Sequence, residues 1–201
     1  ELGLTFQDAW LITSDGTINT IEGNTGSSWL GFWEEFDRFS FPWVPVPDGE
    51  LIVDYLTRRT MWQLDWLIAT NPIDTDRVSV VGHSGGARGT GLLGRAHAER
   101  FAATHQFAPH LEAGPTNYFM GDAAQNLETT LPGAPGVRDV FDMSLNISPT
   151  ERDRPFGRMS IGTNDTAGTA TWNEQQVIGY DEVDASRNGT HLFWDERAHS
   201  Q

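Results

Sequence analysis

Residues 78–96, VSVVGHSGGARGTGLLGRA, contain overlapping glycine patterns that predict different chemistry. From Gly82 the sequence reads G-H-S-G-G and matches G-x-S-x-G, the sharp strand-to-helix turn that presents a nucleophilic serine. From Gly89 it reads G-T-G-L-L-G and matches G-x-G-x-x-G, a loop that wraps a dinucleotide pyrophosphate. The elements predicted around this stretch decide between the two interpretations.

The order of predicted elements indicates an α/β fold. The β-branched run at 76–84 predicts a fully buried strand, and residues 85–102 predict a helix that follows it directly. Strands and helices alternate along the rest of the chain, which predicts a mainly parallel sheet of about five strands flanked by helices. The other predicted strands lie within 7–16 and 103–112, at the start of 156–165, which ends in a turn, and at the start of 190–200. The other predicted helices are 48–72, with Asp48 as cap and Asn71 as stop, and 172–189. An aromatic-rich surface loop is predicted at 17–49, and one or two short helices within 114–155.

The dinucleotide interpretation fails on position and composition. G-T-G-L-L-G begins about two helical turns after the strand ends, so its glycines fall inside the helix rather than in the tight turn that binds a pyrophosphate. GGARGTG also resembles the cofactor loop of short-chain dehydrogenases, whose catalytic tyrosine is supported by a lysine. This chain contains no lysine. We therefore expect no cofactor.

The serine interpretation has partners in the order that such a turn requires. Small residues are expected at 82 and 86, on either side of Ser84, because the turn is crowded. Asp165 and His199 each follow the carboxyl end of a predicted strand, and these ends meet at one edge of a parallel sheet. Ser84, Asp165 and His199 are thus predicted to form a nucleophile, acid and base triad. The N–H of Gly85, at the helix start, is predicted to face the developing oxyanion.

Three phrases make the chain resemble the serine hydrolases of the α/β-hydrolase fold, in their secreted esterase and depolymerase-like branch: GHSGG, GTNDTAG at 162–168 and FWDERAH at 193–199. The resemblance implies one α/β-hydrolase domain over residues 1–201, truncated at both ends. It also implies a secreted or extracellular protein that hydrolyses small or polymeric carboxylic esters through an acyl-enzyme. A second oxyanion donor, from an H-G-G-type loop, would precede this stretch of chain.

The composition limits the partners. The formal net charge is −15 and there is no cysteine. An acidic surface repels nucleic acid and anionic membranes, so neither is expected as a partner. No H-E-x-x-H or H-x-x-E-H spacing is present, so no metal site is expected. We expect a monomer.

Several assignments stay open at the level of sequence. His83 is predicted either to line the pocket rim or to pack. Trp33 and Trp172 are predicted either to contact substrate or to give buried support to the sheet edge. His191 is the other histidine in the last strand, and strand direction favours His199 over it as the base. A serine peptidase, or a non-catalytic domain of the same fold, remains an alternative function.

Overall fold

The computed structural model describes residues 9–13, 17–20, 23–26, 29–40, 42, 44–109, 120–121, 124–142, 155–166 and 190–198. Its strands are β1 (Thr17–Thr20), β2 (Gly23–Gly26), β3 (Phe32–Trp33), β4 (Ile52–Val53), β5 (Ser79–His83), β6 (Ala103–Phe107), β7 (Phe156–Gly162) and β8 (Thr190–Asp195). Its helices are α1 (Tyr55–Thr70), α2 (Gly85–Ala96) and α3 (Val137–Phe141), with short 3-10 turns at Thr75–Arg77 and Ala98–Arg100.

The last four strands form one parallel sheet in the order β5-β6-β7-β8. The pairing is continuous at the carboxyl ends: His83 pairs with Phe107, Phe107 with Ser160, and Gly162 with Asp195. This confirms the predicted α/β class with its mainly parallel sheet. The four remaining strands form two short antiparallel pairs, β1 with β2 and β3 with β4.

Burial of β5 differs from the prediction. Ser79 is exposed, and Val80, Val81 and His83 are only partly buried, whereas a β-branched run of this kind predicts a fully buried strand. Among the described residues, β5 pairs on one side only, with β6. The prediction of complete burial is therefore wrong for this part of the chain, because an edge strand is covered less than a central one.

Helix α1 begins later than the sequence indicated. Its cap position is Asp54 and not Asp48, although the predicted stop at Asn71 is confirmed. Asp54 is buried; its carboxylate accepts a hydrogen bond from the Thr130 hydroxyl and lies 3.0 Å from Arg58 Nε. Its backbone N–H donates to Thr130 Oγ1 at 2.9 Å. A contact with Thr130, which lies 76 residues further along the chain, therefore fixes where the helix starts.

The glycines of α2 allow close packing. A Cβ at Gly89 would lie 2.3 Å from Cγ of Trp29, and one at Gly94 would lie 2.5 Å from Cγ2 of Thr104 on β6. Real Cβ atoms do not approach other atoms this closely, so both positions require glycine unless a neighbour moves. The pattern G-T-G-L-L-G therefore marks a helix packed against a tryptophan and the sheet.

The main hydrophobic core joins α2, α3 and the aromatic-rich segment. Leu30 and Trp33 pack in one cluster with Leu92 of α2 and Val140 of α3. The predicted surface loop at 17–49 thus contains the short strands β1 to β3 and contributes core residues. The described residues of the predicted first strand, 9–13, are not in a strand, but Ile12 packs against a second cluster formed by α1 and α2.

Candidate active site

Ser84 lies at the turn between β5 and α2, with φ 55° and ψ −119°. A non-glycine residue with positive φ is strained, and such strain persists where the surrounding structure holds it. The Ser84 N–H donates to Phe107 O at 2.9 Å, and its carbonyl accepts from Ala87 N at 2.9 Å. The backbone of the turn is thus fixed to the sheet on one side and to the helix on the other.

Gly82 makes this turn possible. A Cβ at position 82 would lie 2.0 Å from the carbonyl oxygen of Gly86, because the first turn of α2 crosses directly over the end of β5. The predicted need for a small residue at 82 therefore has a steric cause. The same expectation for Gly86 finds no such cause, since a Cβ there would meet no described atom within 4 Å. Gly86 instead contributes its backbone carbonyl, which occupies the space that a side chain at position 82 would need.

The carboxyl ends of the sheet bring the neighbouring strands to the same edge. Ala108, which follows β6 directly, also has positive φ (50°), and its N–H donates to Ser160 O on β7 at 2.6 Å. No sequence pattern predicted this second residue with positive φ at the sheet edge. Strands in a sheet lie about 4.8 Å apart, so the ends of β5 and β7 are separated by roughly 10 Å.

Asp165 lies three residues beyond β7 at this edge. It is 1% exposed, and its N–H donates to Gly162 O at 3.0 Å. A buried carboxylate is expensive to desolvate and persists where neighbouring groups stabilise it. Its burial beside the end of β7 fits the predicted position of the acid, two strands away from the Ser84 turn.

The predicted base, His199, lies outside the described residues. What the structure does show is that β8 runs parallel to β7, with Trp194 opposite Ile161 and Asp195 opposite Gly162. The strand direction on which the choice of His199 depended is therefore as predicted. His191 is exposed and lies opposite Arg158, four residues before the carboxyl end of β8.

The remaining predicted site residues fall in different surroundings. Gly85 is exposed and is the first residue of α2. Because the N–H groups in the first turn of a helix have no acceptor within the helix, the Gly85 N–H has none there. His83 ends β5 and is partly buried. Trp33 is 8% exposed, packs in the main core and donates through Nε1 to Glu50 at 3.1 Å. Its surroundings are those of a core side chain. Trp172 lies outside the described residues.

One further charged group lies close to the turn along the chain. Arg88, one helical turn after Ser84, is buried, and burial lowers the pKa of its guanidinium to about 10. Its Cζ lies 5.3 Å from the centre of the Phe141 ring. At neutral pH the group is still a cation, and the ring stabilises it.

Neither a metal-binding cluster nor a membrane-spanning helix occurs among the described residues. No group of three or more His, Asp or Glu side chains in that part of the chain could hold a metal ion. None of the helices that it contains is long and apolar enough to cross a membrane.

A parallel sheet with a strained serine between strand and helix, and an acid after a later strand, defines part of the α/β-hydrolase fold. Solved structures confirm this fold. FphF, a fluorophosphonate-binding serine hydrolase of Staphylococcus aureus, matches with TM-score 0.50 at 14% identity over 72% of this chain and 57% of its own. An S-formylglutathione hydrolase from Agrobacterium tumefaciens matches with TM-score 0.50 at 18% identity over 72% and 50%. Dipeptidyl peptidase 4 of Porphyromonas gingivalis matches with TM-score 0.51 at 14% identity over 72% and 20%.

These likenesses concern the fold. The chain spans about half the length of the first two structures and a fifth of the third. No protein-family model and no curated protein matches it.

Proposed function

We propose that this chain carries the catalytic serine of a hydrolase that cleaves carboxylic esters, with Ser84 as nucleophile, Asp165 as acid and His199 as base. The observation that supports it most directly is the backbone of Ser84, whose φ of 55° places a strained serine at the carboxyl edge of a parallel sheet. Strain of this kind is concentrated at functional sites. The burial of Asp165 after β7, at the same edge, supports its assignment as the acid.

The reaction follows from these roles. Ser84 Oγ attacks the ester carbonyl carbon while its proton passes to His199, and Asp165 stabilises the resulting imidazolium. The Gly85 N–H donates to the oxyanion of the tetrahedral intermediate. The bond to the alcohol then breaks, and His199 returns the proton to the leaving oxygen. Water attacks the acyl-enzyme with His199 as base, which releases the acid and restores the serine hydroxyl.

A peptidase is the second candidate, because the fold is shared with dipeptidyl peptidase 4 at a similar TM-score. Amide and ester cleavage use the same triad, so the triad residues do not distinguish a peptidase from an esterase. Rates for short p-nitrophenyl esters and for a p-nitroanilide of a dipeptide, measured on one preparation, would show which leaving group is preferred.

The test of the nucleophile is covalent labelling. A fluorophosphonate should modify the protein once, at Ser84, and Ser84→Ala should abolish the labelling and lower ester turnover by at least about 10³-fold with the fold retained. Ser79→Ala, on the same strand but exposed at its other end, is the matched control and should label normally. A folded wild-type protein that remains unlabelled, or a labelled Ser84→Ala variant, would contradict the proposal.

A further inference from the structure

Two segments at the carboxyl edge of the sheet are tied together by hydrogen bonds. The acid loop, Thr163–Asp165, leaves β7, and the β8 exit, Asp195–Arg197, leaves the neighbouring strand. The Thr163 N–H and hydroxyl both donate to Asp195 O, at 2.6 and 3.0 Å. The Asn164 side-chain amide donates to Glu196 O at 2.6 Å. Thr163 and Asn164, the two residues that precede Asp165 in the loop, thus each donate to one backbone carbonyl of the β8 exit.

The β8 exit is shaped to receive these contacts. The Asp195 carboxylate accepts from the Arg197 N–H at 3.0 Å and from its Nε at 2.8 Å, which turns the chain after the strand. These hydrogen bonds hold the pKa of Asp195 below its usual value. The turn brings the Arg197 carbonyl over Gly162, where a Cβ would lie only 1.8 Å from that oxygen. The exit therefore lies directly against the start of the acid loop.

We propose that Thr163 and Asn164 are positioning residues that set the place of Asp165 in the site. The inference rests on the proposed function, in which Asp165 is the triad acid. Asp165 is the next residue in the loop and is buried, whereas Asn164 is exposed and Thr163 half-buried. The same contacts join the acid loop to the β8 exit, and His199 follows that exit in the sequence, two residues after Arg197.

Because these contacts are exposed, a role in positioning Asp165 can be distinguished by experiment from a contribution to folding stability. Exposed hydrogen bonds contribute little to net folding stability, because water replaces them when they are lost. A displacement of about 1 Å in a catalytic group can nevertheless cost about 100-fold in rate. Loss of the Asn164 contact is therefore expected to act on the chemical step far more than on the amount of folded protein.

The experiment compares Asn164→Asp, which keeps the shape but replaces the donor with an acceptor, with Asn71→Ala. Asn71 makes the same kind of bond, from Nδ2 to Leu67 O at 3.0 Å, at the far end of α1. Active sites are titrated with a fluorophosphonate, and kcat per titrated site and KM are measured with a p-nitrophenyl ester. Asn164→Asp should lower kcat per site by about 10- to 100-fold with KM within about twofold, and Asn71→Ala should leave both unchanged. Thr163→Val should also lower kcat, and Thr163→Ser should restore it.

The outcomes are distinct. Unchanged kcat per titrated site in Asn164→Asp, or a loss of activity that merely follows the number of titrated sites, would overturn the positioning role alone. A folded wild-type protein that the probe does not label would overturn the proposed function and this inference with it.

Discussion

Ser84 owes its conformation to its immediate neighbours along and across the chain. Gly82, two residues before Ser84, lets α2 cross over β5, and the Phe107 carbonyl accepts a hydrogen bond from the Ser84 N–H. Both interactions act on the backbone, so they hold the turn in place between the helix and the sheet. Placement of this kind is what allows a nucleophile to be held in an attacking position.

A prediction at this scale concerns the two histidines at the end of the sequence. His199→Ala should lower ester turnover by at least about 10³-fold, because the serine would lose its general base. His191→Ala should leave turnover within about twofold, since His191 lies four residues before the carboxyl end of β8. Turnover and fluorophosphonate labelling of both variants would be measured together. The reverse pattern would mean that the last strand has been wrongly interpreted.

The helix α2 combines two requirements within one element. Its first residue lies at the candidate oxyanion position, and its interior glycines let Trp29 and the sheet approach closely. Glycine is normally unfavourable inside a helix by roughly 1 kcal/mol relative to alanine. The loss in helix propensity is offset by packing, which only the tertiary structure supplies.

This balance predicts the sign of a substitution. Gly89→Ala should destabilise the fold by about 1–3 kcal/mol despite the better helix propensity of alanine, because its Cβ would displace the Trp29 ring. Gly86→Ala, where no described atom lies within 4 Å of the new Cβ, is the control and should be neutral or slightly stabilising. Urea unfolding of both variants would measure the difference. A stabilised Gly89→Ala would show that Trp29 does not pack there.

The carboxyl end of α2 carries a titratable group that predicts pH dependence. Burial lowers the pKa of His97 from 6.5, against the opposing effects of Glu99, Asp54 and Asp65, while Arg100 adds to the lowering. Below pH 6.5 the unfolded chain therefore binds a proton that the folded protein resists, so stability should fall as pH decreases through this window. The His97 Nε2 is buried with no hydrogen-bond partner among the described residues.

The measurement is the thermal midpoint between pH 7.5 and 5.5. His97→Leu should show a smaller decrease in Tm over this range than the wild type, because the variant has no group to protonate there. His191→Leu, at an exposed position on β8, serves as control and should keep the wild-type pH dependence. An unchanged slope in His97→Leu would show that other groups cause the acid destabilisation.

The whole molecule carries a formal net charge of −15, with 28 acidic and 13 basic residues. Like charges at this density repel one another and destabilise the compact state. Salt screens such repulsion within a Debye length of about 10 Å at 0.1 M. Electrostatic self-repulsion is therefore a property of this chain as a whole, independent of any one ion pair.

We expect Tm to rise when NaCl is increased from 10 mM to 200 mM, with most of the rise below about 100 mM, where screening changes fastest. Differential scanning calorimetry at constant pH would measure it. Sucrose at equal osmolality is the control, since a neutral solute does not screen charge. A Tm that is constant or falls over this range would show that favourable ion pairs outweigh the repulsion.

The sequence by itself determined the class of fold and the position of the candidate nucleophile. Alternation of strand and helix periods is a local property, and so is the run of residues from β5 through Gly82 and Ser84 into α2. Local patterns of this kind predict elements and turns because backbone sterics act between near neighbours. The same reasoning placed Asp165 after a strand end, where the structure has it.

The tertiary structure decided everything that depends on residues distant in sequence. It placed the start of α1 at Asp54 through Thr130, turned the aromatic-rich segment into core and gave the α2 glycines a packing role. It also joined the acid loop to the β8 exit through Asn164 and Glu196, 32 residues apart. None of these contacts follows from periodicity or composition, because each depends on which surfaces meet after the chain has folded.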